Sequence, residues 1–487
     1  MNSVKTFLLK NQNWVIFITL LYILVNSVLF ANEWFYFSLL PFVLLIIYFA
    51  IFSLDKLIYL VVFFVPISLP LELYAPNLGF NLQLPTEPIL AGILVLFIYR
   101  LILEKQFDRD ILLHPITLTI YFNIIWIFFT TCTSSLPLVS FKFLISRLWF
   151  VIPFYFIASQ MFTKKKNIRR FTWSYIPLML VVIVYAIIHL AQFGLFNQQA
   201  AHLSAHPFFN DHTSYGCLLA MILPFTIGFA LTPKYSFPLR VLCWILVAIN
   251  SFALLLSYSR AAWISVVIAG IVFIILWLRI KFRTILLLGL SIGCLLLINR
   301  ESLFQQLEKN HQDSSKDLTK HIQSMSNIST DQSNIERLNR WESAFRMFRE
   351  RPFWGWGPGT YMFQYAPFQM SYEKSLISTN EGNMGNAHSE YIGPLSESGV
   401  FGSLSFILIE LVTLYTAIRM YTRSKGHYTT RILILSATLG LITYYTHGTL
   451  NNFLDTDKAS VLFWGFTAMI AALDVYHVRK YEVDETQ

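Results

Sequence analysis

The sequence predicts an all-α integral membrane protein, a polytopic bundle of about 14 transmembrane helices (about 12–14) with a long external loop containing amphipathic helices. Three observations carry that prediction. Of the 487 residues, 55% are hydrophobic, 16% aromatic and only 13% charged, a charged share about half that of ordinary soluble domains. The apolar residues gather in runs of about 17 to 25, the length a helix needs to cross a bilayer. The basic residues fall in short clusters between alternate runs, as membrane topology requires. The formal charge of +9 is spread over those clusters and forms no single patch, which argues against nucleic acid as a partner.

Taken in order, the runs lie near 14–30, 34–52, 57–75, 88–103, 115–131, 141–162, 172–194, 213–231, 239–257, 261–279, 284–299, 400–420, 430–449 and 459–476. Lys5 and Lys10 precede the first run like the start of a signal peptide, but the run is long and lacks a small-residue cleavage pattern, so it reads as an uncleaved span. The weakest runs are 57–75, which holds Pro66 and Pro70, and 88–103, which is short. Cys132, Cys217, Cys243 and Cys294 each sit singly in an apolar run without metal-type spacing and read as small core residues.

Orientation follows from the basic clusters. With the N-terminus inside, the inner segments hold Lys56, then Arg100, Lys105 and Arg109, then Lys164, Lys165, Lys166, Arg169 and Arg170. Further inner clusters are Lys234 and Arg240, then Arg279, Lys281 and Arg283, then Arg419, Arg423, Lys425 and Arg431, with Arg479 and Lys480 last. The alternate loops near 31–33, 76–87, 132–140, 195–212 and 448–458 hold almost none. Both termini are therefore expected in the cytoplasm and the loop 299–402 outside. The chain divides into N-terminal transmembrane helices (1–195), transmembrane helices with short external turns (196–299), an external loop with the candidate chemistry (300–399), and C-terminal helices with a cytoplasmic tail (400–487).

Within the external loop, 305–332 is rich in Gln, Ser, Lys, Asp and Asn and reads as solvated. From Ser333 the pattern turns helical: Ile335, Leu338, Trp341, Phe345 and Phe348 recur at helical spacing, and Ser333 with Glu336 forms a capping-box signature. Arg351-Pro352 ends this helix, which is expected on the membrane surface or packed on the bundle. Arg337 and Arg340 border its apolar stripe, and the turn-rich Gly355-Trp356-Gly357-Pro358-Gly359 follows.

Several residues are candidates for chemistry. His388 stands in a polar run with Ser389 and Glu390 at an outer membrane boundary, and imidazole suits proton transfer near neutrality. The plainer alternative is an interfacial histidine that only hydrogen-bonds. Arg260 lies in the short outer turn Ser257-Tyr258-Ser259-Arg260, and Arg147 falls inside a span, where a cation must find an anion or a partner. Diphosphate is an apt anion because the guanidinium fork binds its oxygens in pairs and stays charged. Against this, Arg147 has the reading of a helix–helix ion pair, and Arg337 and Arg340 that of contacts to anionic membrane lipids. The stretch from His202 to Ser214 holds three histidines with Asp211, but His206 and His212 match no strong zinc spacing, and a substrate-facing loop is the better reading. Asp455 and Asp457 read as a solvated pair. There is no Walker A motif, dinucleotide fingerprint or G-x-S-x-G in a credible context, so no cofactor is expected and the energy must come from an activated substrate.

These residues resemble the bacterial O-antigen ligase and polymerase superfamily of membrane glycan transferases. Its ligase motif stands here as His388-Ser389, nine residues to Ser398, then Gly399-Val400-Phe401-Gly402. Arg340-Trp341 through Pro352 into Gly355–Gly359 is similar to the block preceding it, Ser259-Arg260-Ala261 to the family's outer arginine turn, and Pro207 to His212 to the entry of an earlier span. The likeness covers about 200–470. It implies a GT-C-like fold, an undecaprenyl diphosphate-linked glycan donor, a hydroxyl acceptor such as lipid A-core, and no metal. On that basis His388 is the base, Arg260 with Arg340 or Arg337 holds the diphosphate, and Asn386, Ser389, Glu390 and Glu397 line or brace the site. Two departures are visible. The polymerases' arginine meets a glycine after fifteen residues, whereas Arg340 meets Gly355 after fourteen, and the span count is nearer the polymerases than the ligases. The alternatives are therefore a polymerase of lipid-linked repeats, a protein O-oligosaccharyltransferase or, from another class, a polysaccharide transporter or flippase. The last is disfavoured by the lack of an internal repeat.

Overall fold

The computed structural model describes residues 12–75, 82–103, 107–280, 284, 332–374, 378, 385–424 and 427–479. The expected span 284–299 apart from Thr284, nearly all of the polar segment 305–332, and Lys5 and Lys10 lie outside these residues, as does the side chain of Ser333.

The chain divides into two compact units, residues 1–57 and 58–487. The first holds α1 (Gln12–Ala31) and α2 (Phe35–Phe52, its first turn 3₁₀), joined by the Ser38 hydroxyl donating to Asn26 Oδ1 at 3.0 Å and by Phe30 set edge-on to Phe35. Neither helix buries a residue, as expected of helices whose solvent is lipid.

The second unit is a helical bundle. It comprises α3 (Leu54–Phe64, which begins at the boundary), α4 (Thr86–Leu103), α5 (Pro115–Cys132), α6 (Pro137–Met161), α7 (Lys165–Ala191), α8 (His212–Ala230), α9 (Phe237–Leu256) and α10 (Arg260–Leu278). Then come α11 (Gln332–Glu350), α12 (Ile392–Arg423), α13 (Tyr428–Gly448) and α14 (Asp457–Arg479). Eleven helices among the described residues are long and apolar enough to cross a membrane. The protein is a multi-pass, all-α membrane protein. α13 forms over the expected run but is more polar than the eleven, since it carries Arg431, threonines and tyrosines and lies deep in the bundle. The run 57–75 does not form one span. α3 stops at Phe64, Pro66 turns the chain into 3₁₀ geometry, and β1 (Leu69–Pro70) pairs antiparallel with β2 (Gln83–Leu84). A proline lacks the N–H that a continuing helix needs.

The core lies where α8, α13 and α14 meet, and α14 is 94% buried. Backbones approach closely there: a Cβ on Gly440 of α13 would come within 2.7 Å of Met221 O of α8. Small residues permit such packing where helices gain little from excluding water.

Contacts sort the helix ends of this unit into two layers. In one, Ser135 N donates to Trp356 O at 2.9 Å, Glu390 N to Gly448 O at 2.8 Å, and the Tyr258 hydroxyl to Phe196 O at 3.1 Å. In the other, His114 meets Asp474 at 3.2 Å, Tyr476 meets Asp108 at 2.6 Å, and Lys165 meets Thr430 at 2.7 Å. The basic-cluster alternation places these same turns on opposite sides.

α11 forms as its periodicity predicts, but its most buried face is not the apolar stripe. Glu336, Asn339, Arg340, Ser343, Ala344 and Met347 are inside, while Leu338 of the apolar stripe is 44% exposed. The helix packs a mixed, largely polar face against the protein, while Ile335, Trp341, Phe345 and Phe348 of the apolar stripe are half-buried.

Candidate functional site

The stretch holding His388 is fixed on both sides. Ser389 Oγ accepts from the backbone N–H groups of Tyr391 and Ile392 at 3.3 Å, capping α12. The buried carboxylate of Glu390 accepts from the Tyr444 hydroxyl at 2.5 Å and from the N–H groups of Phe453 and Leu454 at 2.8 and 3.0 Å, which bolts this stretch to the 449–456 loop. Burial holds the Glu390 carboxyl above its ordinary range, with Asp455 adding to the rise. Asn386 Oδ1 accepts from His388 N at 3.0 Å. His388 itself takes a left-handed backbone, φ +49°, rare for a side-chain-bearing residue and a strain the surrounding hydrogen bonds must hold.

The ligase-like glycines have a packing role. α12 breaks at Gly399, φ +70°, and the freed carbonyls of Ser396 and Glu397 accept from Trp356 N at 3.1 Å and Gly357 N at 2.7 Å. Trp126 Nε1 takes Ser398 O at 2.7 Å. The 352–359 turn crosses this kink so closely that a Cβ on Gly355 would lie 2.3 Å from Glu397 C, and one on Gly399 would lie 2.1 Å from Phe353 O. Glu397 Oε1 accepts from Tyr361 N at 3.0 Å. The spacing Arg340…Gly355…Gly399 thus anchors α11 to the start of α12.

Arg340 is 5% exposed, with Nε donating to Glu336 Oε1 at 2.6 Å and its guanidinium stacked over Tyr365 at 4.1 Å. Its other edge lies against Gly385, while Nη1 has no hydrogen-bond partner among the described residues. Arg337 Nε donates to Leu450 O at 3.2 Å. Both arginines act on His388: burial first, then these two cations, pull its imidazole pKa from 6.5 to about 4, against the opposing pull of Glu336 and Asp211. At neutral pH the imidazole is uncharged and able to take up a proton.

Arg260 opens α10, and the turn before it rests on α8, since a Cβ on Gly216 would come within 2.8 Å of Ser259 Cβ. This seats Arg260 beside the N-terminus of α8. Arg260, Arg337, Asp211 and His202 all lie within electrostatic reach of His212. Asp211 caps α8, accepting from Ser214 N and the Thr213 hydroxyl at 2.7 Å. Burial raises its carboxyl, but these hydrogen bonds outweigh it and hold the pKa below the ordinary range. His212 stacks on His202 with ring centres 4.1 Å apart, so His202 and not His206 is its partner.

The structure therefore brings Arg260, Arg337, Arg340, Asp211, His212 and His388 to one end of the bundle. It also brings His447, which sequence reasoning missed. His447 is 1% exposed, feels Asp211, Arg337 and His212, and has no partner for Nε2 among the described residues. No local pattern marks it, because it ends an ordinary helix. Arg147 stands in a different group, with Nη2 on Asp455 Oδ1 at 3.2 Å and its charge acting on Glu390 and Glu397. The solvated reading of the acidic pair is corrected for Asp457: it is fully buried and accepts from the Thr86 hydroxyl at 2.6 Å, with Lys458 at 3.9 Å.

A family model described as O-antigen ligase matches residues 245–407. This stretch, residues 245–407, is similar to the O-antigen ligase family. The match spans Arg260, Arg337, Arg340 and His388 and ends inside α12, while Asp211, His212, Arg147 and His447 lie outside it. It supports glycan-transferring chemistry of the ligase/polymerase type. No curated protein matches the chain.

Proposed function

We propose that this protein is an O-antigen ligase-like glycosyltransferase. It moves a glycan from undecaprenyl diphosphate to an acceptor hydroxyl, of which lipid A-core is the leading example, at the periplasmic face of the bacterial inner membrane. The observation that carries this is the placement of Arg337 and Arg340 beside a neutral, strained His388, with Arg337 also reaching His212, where Arg260 stands. The near absence of Lys and Arg from the connecting loops of that layer supports the outward orientation.

The chemistry is a single displacement. His388 accepts the acceptor's proton, the hydroxyl oxygen bonds to the anomeric carbon, and the bond from that carbon to the diphosphate oxygen breaks. Undecaprenyl diphosphate leaves with the electron pair, and the guanidinium groups stabilise its growing charge. The same steps serve a polymerase whose acceptor is a second lipid-linked repeat, and the near-literal Arg340-to-Gly355 spacing keeps that reading in view.

Gel profiling of glycans in a deletion strain tests the function. A ligase leaves bare core and accumulates lipid-linked polymer, and a polymerase leaves core bearing single repeats. Restoration of the wild-type pattern by both His388→Ala and Arg260→Ala would sink the assignment.

A further inference from the structure

The segment between α11 and α12 meets the spanning helices at an aromatic patch on the outside of the bundle. Trp354, in the turn that follows α11, stacks on Trp126 of α5 with ring centres 5.3 Å apart and planes 9° from parallel. Phe401 of α12 meets Trp126 edge-on at 5.0 Å. Phe353 and Trp354 are 61% and 48% exposed, and Phe401 is exposed beside them.

The depth of this patch follows from α5. Trp126 precedes the end of that helix at Cys132 by about 9 Å along its axis. Phe128 and Phe129, nearer the end, are exposed apolar residues of the same span. α12 gives the same level, since Asn123 Nδ2 donates to Ser405 Oγ at 2.8 Å and Trp126 Nε1 to Ser398 O at 2.7 Å. Leu404, Leu408 and Leu411 continue the exposed apolar face along α12. Lipid is the solvent of such a face, and Trp354 joins it through the Trp126 stack.

Two further features fit the turn to that depth. A loop at membrane depth must pair its backbone polar groups within the protein. Here Gly355 N donates to Arg351 O at 3.0 Å, Val400 N to Pro352 O at 2.9 Å, and Trp356 N and Gly357 N to the carbonyls of the α12 kink. Trp356 O accepts from Ser135 N, and Pro358 O accepts from the Ser140 hydroxyl. The other feature is charge: Arg351 stacks over Trp356 at 4.1 Å and, like Arg349, is exposed. Exposed arginines beside interfacial aromatic rings extend to lipid phosphates while the rings stay below them.

We propose that Phe353 and Trp354 are a lipid contact, set among the acyl chains just below the headgroups, with Arg349 and Arg351 on the phosphates above. The partner is bilayer lipid, because the patch is continuous with the exposed apolar sides of α5 and α12. A turn in the segment that composition assigns wholly to the exterior thus dips into the leaflet. The contact rests on the membrane-spanning character of the helices and not on the transferase chemistry.

The test is photo-cross-linking of the full chain in nanodiscs of phosphatidylethanolamine and phosphatidylglycerol. The label p-benzoylphenylalanine replaces Phe353 and, in separate variants, Leu411 on the exposed side of α12 or Tyr372, which is 83% exposed elsewhere between α11 and α12. Mass spectrometry is expected to find lipid adducts at 353 and 411 and none at 372. Gel filtration and thermal melting confirm that each variant is folded, and the label at Trp354 serves should the 353 variant fail. Lipid adducts at 411 alone would overturn the proposal, because the turn then faces water. A cross-link from 353 to a second copy of the chain would overturn it as well, since protein and not lipid would cover the patch. Equal lipid adducts at all three positions would also sink it, because the label would then reach lipid without regard to depth.

Discussion

The two ends of the bundle use charge in opposite ways. At one end Asp474 gathers His114 at 3.2 Å, Arg419 at 3.0 Å and Arg479 at 2.5 Å around a single carboxylate. These ion pairs tie α5, α12 and α14 together, and of their buried side-chain donors only Arg419 Nε is left without a partner among the described residues. At the other end Arg337 and Arg340 stand near the His388 imidazole and Arg260 with Arg337 near that of His212, and Arg340 Nη1 and His447 Nε2 lack partners among the described residues. Cations gathered on one carboxylate stabilise a fold, whereas cations gathered around neutral imidazoles are tolerated where an anionic ligand completes them.

That contrast breaks if the open end proves insensitive to mutation. His388→Ala is expected to lower the glycan-transfer rate about 10³-fold, within the span for a lost general base, measured with lipid-linked donor in membranes. Arg260→Ala should cost about 10²-fold through lost stabilisation of the leaving group. Asp474→Asn should do the reverse, leaving the turnover of folded enzyme intact while destabilising the protein by about 2–4 kcal/mol, less than a fully buried network because Arg419 and Arg479 are 32% and 46% exposed. A drop in turnover with unchanged melting would erase the distinction between the ends. Arg340→Lys keeps the charge but loses the fork, and a loss of about tenfold is expected, read as a change in rate at constant protein level.

The smallest effect sharpens the same comparison through pH. His388 binds its proton near pH 4 in the folded protein and near 6.5 when unfolded, so the unfolded state holds more protons in that window. Stability therefore falls as pH drops from 6.5 towards 4, and His388→Asn should remove about one proton's worth of that slope. The activity of the wild type should keep its acid limb near 4, and a limb at 6.5 would show that the imidazole is not held between burial and the arginines.

Much of this was legible in the sequence, and the failures have causes. Composition and run length predicted the helices because a bilayer demands about 20 apolar residues whatever packs beside them. The periodicity of α11 was legible, yet its most buried face was not: Glu336 and Arg340 neutralise each other inside, so a largely polar face packs more deeply than the apolar stripe. Run 57–75 held its prolines in plain sight, but only the pairing of Leu69 with Leu84 showed that the chain turns back. His447 carried no local signal, because it ends a helix already rich in polar residues and no motif spacing singles it out.

By itself the sequence determined the membrane class, the alternation of loops, and the motif residues Arg260, Arg340, His388 and Gly399, because each depends on composition or on spacing along one chain. Tertiary structure decided which of them meet. It set His447 near Arg337, gave Arg147 to Asp455, and made Gly355 and Gly399 the crossing point of a turn and a broken helix. Those outcomes depend on contacts between residues far apart in the chain, and such contacts are fixed by packing and by the need to pair buried polar groups, which no local pattern records.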